Sequence, residues 1–363
     1  MPTGSGGQIA IFSVGSLYTA ATSALLSTAQ WTNFVSETVE HTFGELQEGS
    51  ITGYKARPPS HKGVDSAAGD IQLEPNPNAL GMFLRGVFGQ SSGTVLTAAG
   101  SWGAGSSSPE ANPPGYPAGR PVVQHRFVPI QTAVEDRCYL PSHGMMMYKD
   151  VGSAFVMMGT VFPSIDINIT AGQLTKATVS TMARDVTRFS RITSVAALRN
   201  PGGRPWVWDQ TSIQVGSAGG LISFDKFQSL GIKFETPIEG VLLLDGTKKY
   251  GEFQANGFQA LDVTGTMSFR DQTEYDAFVA YENRFMRVTL TNVNTALLTL
   301  GNPSSAWYYQ LAIDVPQLKF TSWSTPIQGP GRLTTTFKAH GEFDVASLYQ
   351  VEARLINTTQ QYG

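Results

Sequence analysis

Cysteine is almost missing from this chain: Cys138 is the single one in 363 residues. A disulfide framework within one chain is therefore excluded, and with it the small stapled scaffolds of secreted proteins. Charge is also scarce, 15% of residues against about 25% in an ordinary soluble domain. Such a surface fits a plain low-charge protein, or one largely covered by neighbouring subunits. The net charge of -3 argues against clamping nucleic acid through its phosphates, and Lys248-Lys249 is the lone pair of adjacent basic residues. No run of about 18 apolar residues occurs, so no membrane span is expected. No basic residue precedes Lys55, so the basic start of a signal peptide is not expected either.

Catalytic chemistry is equally thin. Five histidines accompany the one cysteine. Cys138, His125 and His143 lie in one segment with Asp136 nearby, but their spacing fits no zinc motif. They read as a buried thiol beside surface histidines, and His41, His61 and His340 are isolated. The P-loop pattern G-x-x-x-x-G-K-[ST] is missing. The glycine clusters at 4 to 7 and 103 to 105 do not lie between a strand and a helix, so they read as loops. Asp70 with Glu74, and Asp271 with Glu274, are accounted for by strand exposure and helix capping. The chain is expected to be no enzyme, with no metal and no cofactor.

What the sequence does contain is a sentence said twice. In VFPSIDINITAGQLTKATVS, residues 161 to 180, Ile165, Ile167 and Ile169 alternate with Asp166, Asn168 and Thr170, the period of a half-buried strand. A turn at Ala171-Gly172 leads to a second alternating run through Thr175, Ala177 and Val179. The stretch 314 to 342 repeats this plan. Leu318 and Phe320 point inward, Gly-Pro-Gly at 329 to 331 turns the chain, and Leu333, Thr335, Phe337 and Ala339 alternate after it.

A second element is also duplicated. Residues 69 to 88 read as a short strand, then a helix with Asn76 as N-cap and Pro77 at its first position. Leu80, Phe83, Leu84 and Val87 fall on one face of that helix. Residues 265 to 285 repeat strand and helix, with Asp271 and Glu274 as a capping box and Tyr275, Phe278, Glu282 and Phe285 continuing the spacing. Further strands are expected at 36 to 43, 50 to 56, 122 to 130, 154 to 160, 221 to 236, 240 to 245, 252 to 267, 287 to 293 and 307 to 313. Residues 12 to 34 read equally as a helix or as an extended arm.

The copies differ in the gap between helix and hairpin. Most of the excess in the first is residues 90 to 121, where eleven of 32 residues are Gly or Pro and only Glu110 and Arg120 are charged. Ordered loops this long are uncommon and tend to serve a function. Trp102 and Tyr116 point to an arm that docks on another subunit, since aromatics among small residues need a place to bury. The join between copies is placed near 195 to 208, where Asn200-Pro201-Gly202-Gly203 signals a turn. The division expected is an N-terminal arm over 1–35, a first unit over 36–195 with the loop 90–121, and a second unit over 196–363.

Together, His125-Arg126-Phe127, Leu140-Pro141-Ser142, Phe162-Pro163-Ser164-Ile165 and the Thr-rich hairpin resemble the tail tube proteins of long-tailed, non-contractile bacteriophages. So do Gly69-Asp70-Ile71 with the helix ending at Phe88-Gly89, and Gly265-Thr266-Met267-Ser268-Phe269 ahead of Tyr275 and Phe278. The resemblance covers most of 36 to 350. It implies a mainly β fold of two tandem β-sandwich or barrel-like tube domains, each with one flanking helix. It also implies self-association into stacked rings, with further partners in a tape-measure protein, terminator and tip proteins, and viral DNA passing without sequence-specific binding. The place implied is the virion tail, assembled in the host cytoplasm. Two units in one chain imply trimeric rings of pseudo-sixfold symmetry. Asp166, Asn168 and Thr178 are the lumen-facing candidates, although Lys176, Lys319, Arg332 and Lys338 run against an anionic lining. Trp102, Tyr116 and Arg120 are the inter-ring candidates, with the N-terminal stretch beside them. A contractile-tail or secretion tube, and a β-sandwich virion protein binding a receptor or carbohydrate, stand as alternatives.

Overall fold

The computed structural model describes residues 7–14, 29–47, 59–96, 122–131, 140–149, 152–189, 203–217, 220–298, 307–327, 332–359 and 362. Strand dominates it. The first half contributes β1 (Gln8–Ser13), β2 (Gln30–Thr32), β3 (Ser36–Glu37), β4 (Glu40–Gln47) and β5 (Ser60–Leu73). Helix α1 (Leu80–Phe88) follows, then β6 (Gly89–Val95), β7 (Val123–Pro129), β8 (His143–Tyr148), β9 (Ala154–Val161), β10 (Ser164–Thr170) and β11 (Lys176–Phe189). The second half contributes β12 (Thr211–Ser217), β13 (Gly220–Ser223), β14 (Phe227–Glu235), β15 (Ile238–Leu242), β16 (Tyr250–Ala255) and β17 (Ala260–Ser268). After helix α2 (Thr273–Val279) come β18 (Arg284–Leu298), β19 (Trp307–Ser324), β20 (Thr334–Gly341) and β21 (Glu352–Asn357).

One antiparallel order occurs twice. In the first half, neighbours run β2, β1, β8, β9, β11, β5, β4, and β10 continues the line of β9 after a break at Phe162-Pro163. In the second, they run β13, β12, β18, β19, β20, β17, β14. The order along the chain matches as well. Each half enters with an edge hairpin, crosses to a strand that leads into the helix, and returns through a meander. Proline marks the same place in both. Pro163 divides β9 from β10, and in β19 the register shifts across Pro316, because proline has no N–H to give the ladder.

Among the described residues the halves share one sheet of 19 strands, and β15 with β16 forms a separate hairpin. They join in two places. Strand β14 lies along β10, and β21 lies along both β19 and β7. The first 35 residues, expected as an arm, contain β1, whose Ile9, Ala10, Ile11 and Phe12 are buried in this chain's own core. Apolar alternation there was masked by an unbroken run of buried residues, since both faces of β1 are covered.

The sheet has an apolar face and a polar one. Ile165, Ile167, Ile169, Ala177 and Val179 are buried as their alternation requires, and Leu230, Ile232, Phe234, Leu261 and Val263 continue that face across the join. Helix α1 lies against it. Gly81 and Gly86 have no side chain because rings occupy the space: a Cβ would meet Tyr362 at 2.0 Å and Phe162 at 2.3 Å.

Local expectations fare unevenly. Asn76 opens the turn before α1, its carboxamide oxygen accepting from the Asn78 N–H at 3.0 Å, but the cap position itself is Ala79. The capping box at α2 does not form. Asp271 accepts from the Thr273 N–H at 3.2 Å, whereas Glu274 turns to Arg284 at 3.5 Å. This helix stops at Val279, with Tyr281 left-handed at φ 53, so Glu282 and Phe285 lie beyond it. The expected strand 221 to 236 is two strands, as is 252 to 267, where Gly257 turns the chain at φ 147. Residues 50 to 56 lie outside the described residues.

Candidate assembly surfaces

Among the described residues no group of His, Cys, Asp and Glu is placed to hold a metal ion. Cys138 and Asp136 lie outside the described residues. His125 and His143 are buried rather than at the surface, each held by a backbone carbonyl: Thr359 at 2.7 Å and Pro141 at 2.9 Å. Burial lowers both imidazoles, His143 to about 4 with the Arg85 charge adding to the effect. Of the others, His41 pairs with Asp65, and His340 lies 3.2 Å from Glu342.

The spacing Gly89-Gln90-Ser91-Ser92-Gly93 fits a nucleophile elbow. Its setting does not, because the chain there runs from helix α1 into β6 rather than from strand to helix. No hydrogen bond among the described residues joins either serine to His125. Nor does any described helix have the length and apolarity to cross a membrane.

The polar face of the sheet is more informative. Residues directly opposite each other on paired strands share a face. One lateral row can be followed across seven strands: Gln72, Thr178, Asp166, Lys233, Asp262, His340, Lys319. The adjacent row carries Lys176, Asn168, Gly231, Thr264, Lys338 and Ser322. The three lumen candidates Asp166, Asn168 and Thr178 therefore come together on one continuous face. That face alternates in charge rather than being anionic. Lys233 illustrates it: the hydrogen bond to Glu235 raises its ammonium pKa most, and the charges of Glu235, Asp262 and Asp166 add. Gly231 leaves room between Asn168 and Thr264, whose side-chain oxygens a Cβ would meet at 2.8 and 3.0 Å.

At the second join a charged ladder crosses β18, β19, β21 and β7. Arg287 donates to both oxygens of buried Asp314 at 2.6 and 2.8 Å, and Arg354 donates to it from the other side. Glu352 then accepts two bonds from Arg126, at 2.9 and 2.7 Å. The bidentate Arg287–Asp314 pair fixes strand register as well as adding energy.

The edges of the sheet differ in how they are covered. Among the described residues β4 pairs only with β5, and all eight of its residues are exposed, Phe43 and Leu46 to 63% each. Residues 319–324 of β19 pair with β20 on one side and with no described strand on the other. The sequence-derived inter-ring candidates Trp102, Tyr116 and Arg120 lie outside the described residues. Reading for motifs missed the aromatic pair at the first join, Phe88 and Phe234, and the free edge carrying Phe43. The signal present was GIKFE at 231 to 235 beside EHTFGE at 40 to 45, each a phenylalanine inside a charged strand.

A family model described as phage tail tube protein matches residues 7–345. No curated protein sequence matches the chain. Among solved structures, the SPP1 tail tube is similar at 12% identity, covering 44% of this chain and 82% of that one, with a TM-score of 0.27.

Proposed function

The chain belongs to the phage tail tube protein family, and from that premise we propose that it polymerises as stacked rings into the hollow conduit for genome ejection in a non-contractile tail. Proteins of this family are structural, non-enzymatic components of the virion. The observation that carries the finer reading is the doubled strand order within one sheet. One chain then supplies two of six positions around a ring, so that three chains complete it with pseudo-sixfold symmetry. The two units would be tandem tube domains, each with its helix on the apolar side.

The polar face bearing Asp166, Asn168 and Thr178 is the proposed lumen. Alternating Asp and Lys gives no sustained positive field to grip DNA phosphates, so the genome slides without sequence-specific contacts. The loop 90–121, with Trp102, Tyr116 and Arg120, is the proposed contact between successive rings. Such a head-to-tail contact is heterologous and propagates without closing. A tape-measure protein in the lumen and terminator and tip proteins at the ends are the partners proposed, with assembly in the host cytoplasm.

Negative-stain electron microscopy of the purified, concentrated chain tests the reading. Hollow tubes with a regular axial repeat are expected. Monodisperse particles that never assemble, even with tail-tip proteins added as initiator, would overturn it.

A further inference from the structure

The join inside the chain is a template for the join between chains. We propose that β4 of one chain adds along the free edge of residues 319–324 in β19 of the next, as β14 adds along β10 within the chain. This inference rests on the tube reading and names the strands that close the ring.

Four observations support it. The first is topological. Strand β10 and residues 319–324 occupy the same place in their halves, each following the proline of its meander, Pro163 or Pro316, and each paired on one side by the last strand of its hairpin. Strands β14 and β4 likewise occupy the same place, at the edge beside the strand that leads into the helix. Within the chain, β14 covers β10 over seven residue pairs from Ser164↔Glu235 to Thr170↔Ser229. Among the described residues the two counterparts are the uncovered ones. An exposed edge invites pairing with another chain, and closing the ring removes both edges at once.

The second concerns apolar surface. Phe234 is paired with Leu261, and Phe43 with Asp65; these partners lie the same distance ahead of Gly265 and Gly69. Phe234 is 2% exposed because it stacks on Phe88, the last residue of α1. Phe43 is 63% exposed, and so is the end of α2, with Val279 at 65%. Each bare group is what the other lacks.

The third is charge. Asp166 of β10 stands opposite Lys233 of β14. At the unfilled join Lys319, which lies 3.1 Å from Glu342 in its own chain, is on the β19 edge, and Glu40 is on β4 two residues from Thr42, the counterpart of Lys233. The fourth is exposure. Every residue of β4 is exposed although the strand pairs with β5 along its length, with one register shift between Phe43 and Glu45, which suits a strand awaiting a partner sheet.

The partner is therefore a second copy of this chain, bound by strand addition. Amide exchange of the full chain, before and after assembly into tubes, reads it directly. Peptides spanning 40–47 and 319–324 should both slow by more than about tenfold on assembly. Zero-length carbodiimide coupling of tubes mixed from heavy- and light-isotope chains should join Lys319 of one chain to Glu40 of another. Phe43→Asp should keep the monomer's thermal transition yet fail to form rings, while Phe43→Leu should assemble. Tubes in which both peptides exchange as fast as in the monomer would overturn the strand pairing and leave the tube reading standing, as would normal assembly by Phe43→Asp. A wild-type chain that forms no ring or tube would sink both.

Discussion

Phe88, the last residue of helix α1, stacks on Phe234 of strand β14 with ring centroids 4.8 Å apart and planes 10° apart. The contact joins the first half of the chain to the second. Two rings so placed bury apolar area and add roughly 0.5–1.5 kcal/mol from their stacking geometry. Phe234→Ala should cost about 3–5 kcal/mol of stability in urea unfolding. Phe43→Ala, at the exposed counterpart, should change the unassembled chain by less than about 0.5 kcal/mol.

Asp314 tests the charged ladder that leads to the second join, within the second half. It is 2% exposed and holds Arg287 and Arg354. Removing it with Asp314→Ala leaves two guanidinium groups without their shared anion, at an expected cost of about 3–5 kcal/mol. The denaturant midpoint should fall with the slope unchanged.

His143 gives the chain a pH dependence of known sign. Its imidazole is buried and lowered from 6.5 to about 4, so the folded chain holds it neutral. Between those values the unfolded chain binds the extra proton, and stability must rise with pH. It is fully retained above pH 6.5 and falls by up to about 3 kcal/mol as pH drops towards 4. His143→Gln should flatten that part of the stability profile, measured by urea unfolding at stepped pH.

Asn168 tests the direction of the polar face. In a Cys138→Ser background, Asn168→Cys should react with a small maleimide in assembled tubes. A maleimide on a large polymer should label the unassembled chain readily and the assembled tube hardly at all. Equal labelling of both states by the polymer would place Asn168 on the outside.

The duplication was legible because hairpins announce themselves by period. Ile165, Ile167 and Ile169 alternate cleanly, and Leu318 with Phe320 repeats the rhythm after the same proline. The strands missed were those that tertiary context makes. In β1 both faces are buried, so alternation vanishes, and β8, with its run Met145-Met146-Met147, is hidden in the same way. Capping at α2 was misjudged because Glu274 is drawn to Arg284 from a neighbouring strand, a partner no local window contains. The buried histidines were misjudged for a related reason, since only long-range packing covers them. Of the candidate surface, Asp166, Asn168 and Thr178 could be found from alternation alone. Lys233, Asp262 and Lys319 in the same row could not, because lateral order depends on the pairing of distant strands.

The central claim is that one chain fills two adjacent places in a ring. Cryo-electron microscopy of end-on rings, averaged without imposed symmetry, tests it most directly. The account predicts three chains per ring, with six similar lobes alternating between two kinds. Six whole chains in one ring would contradict it.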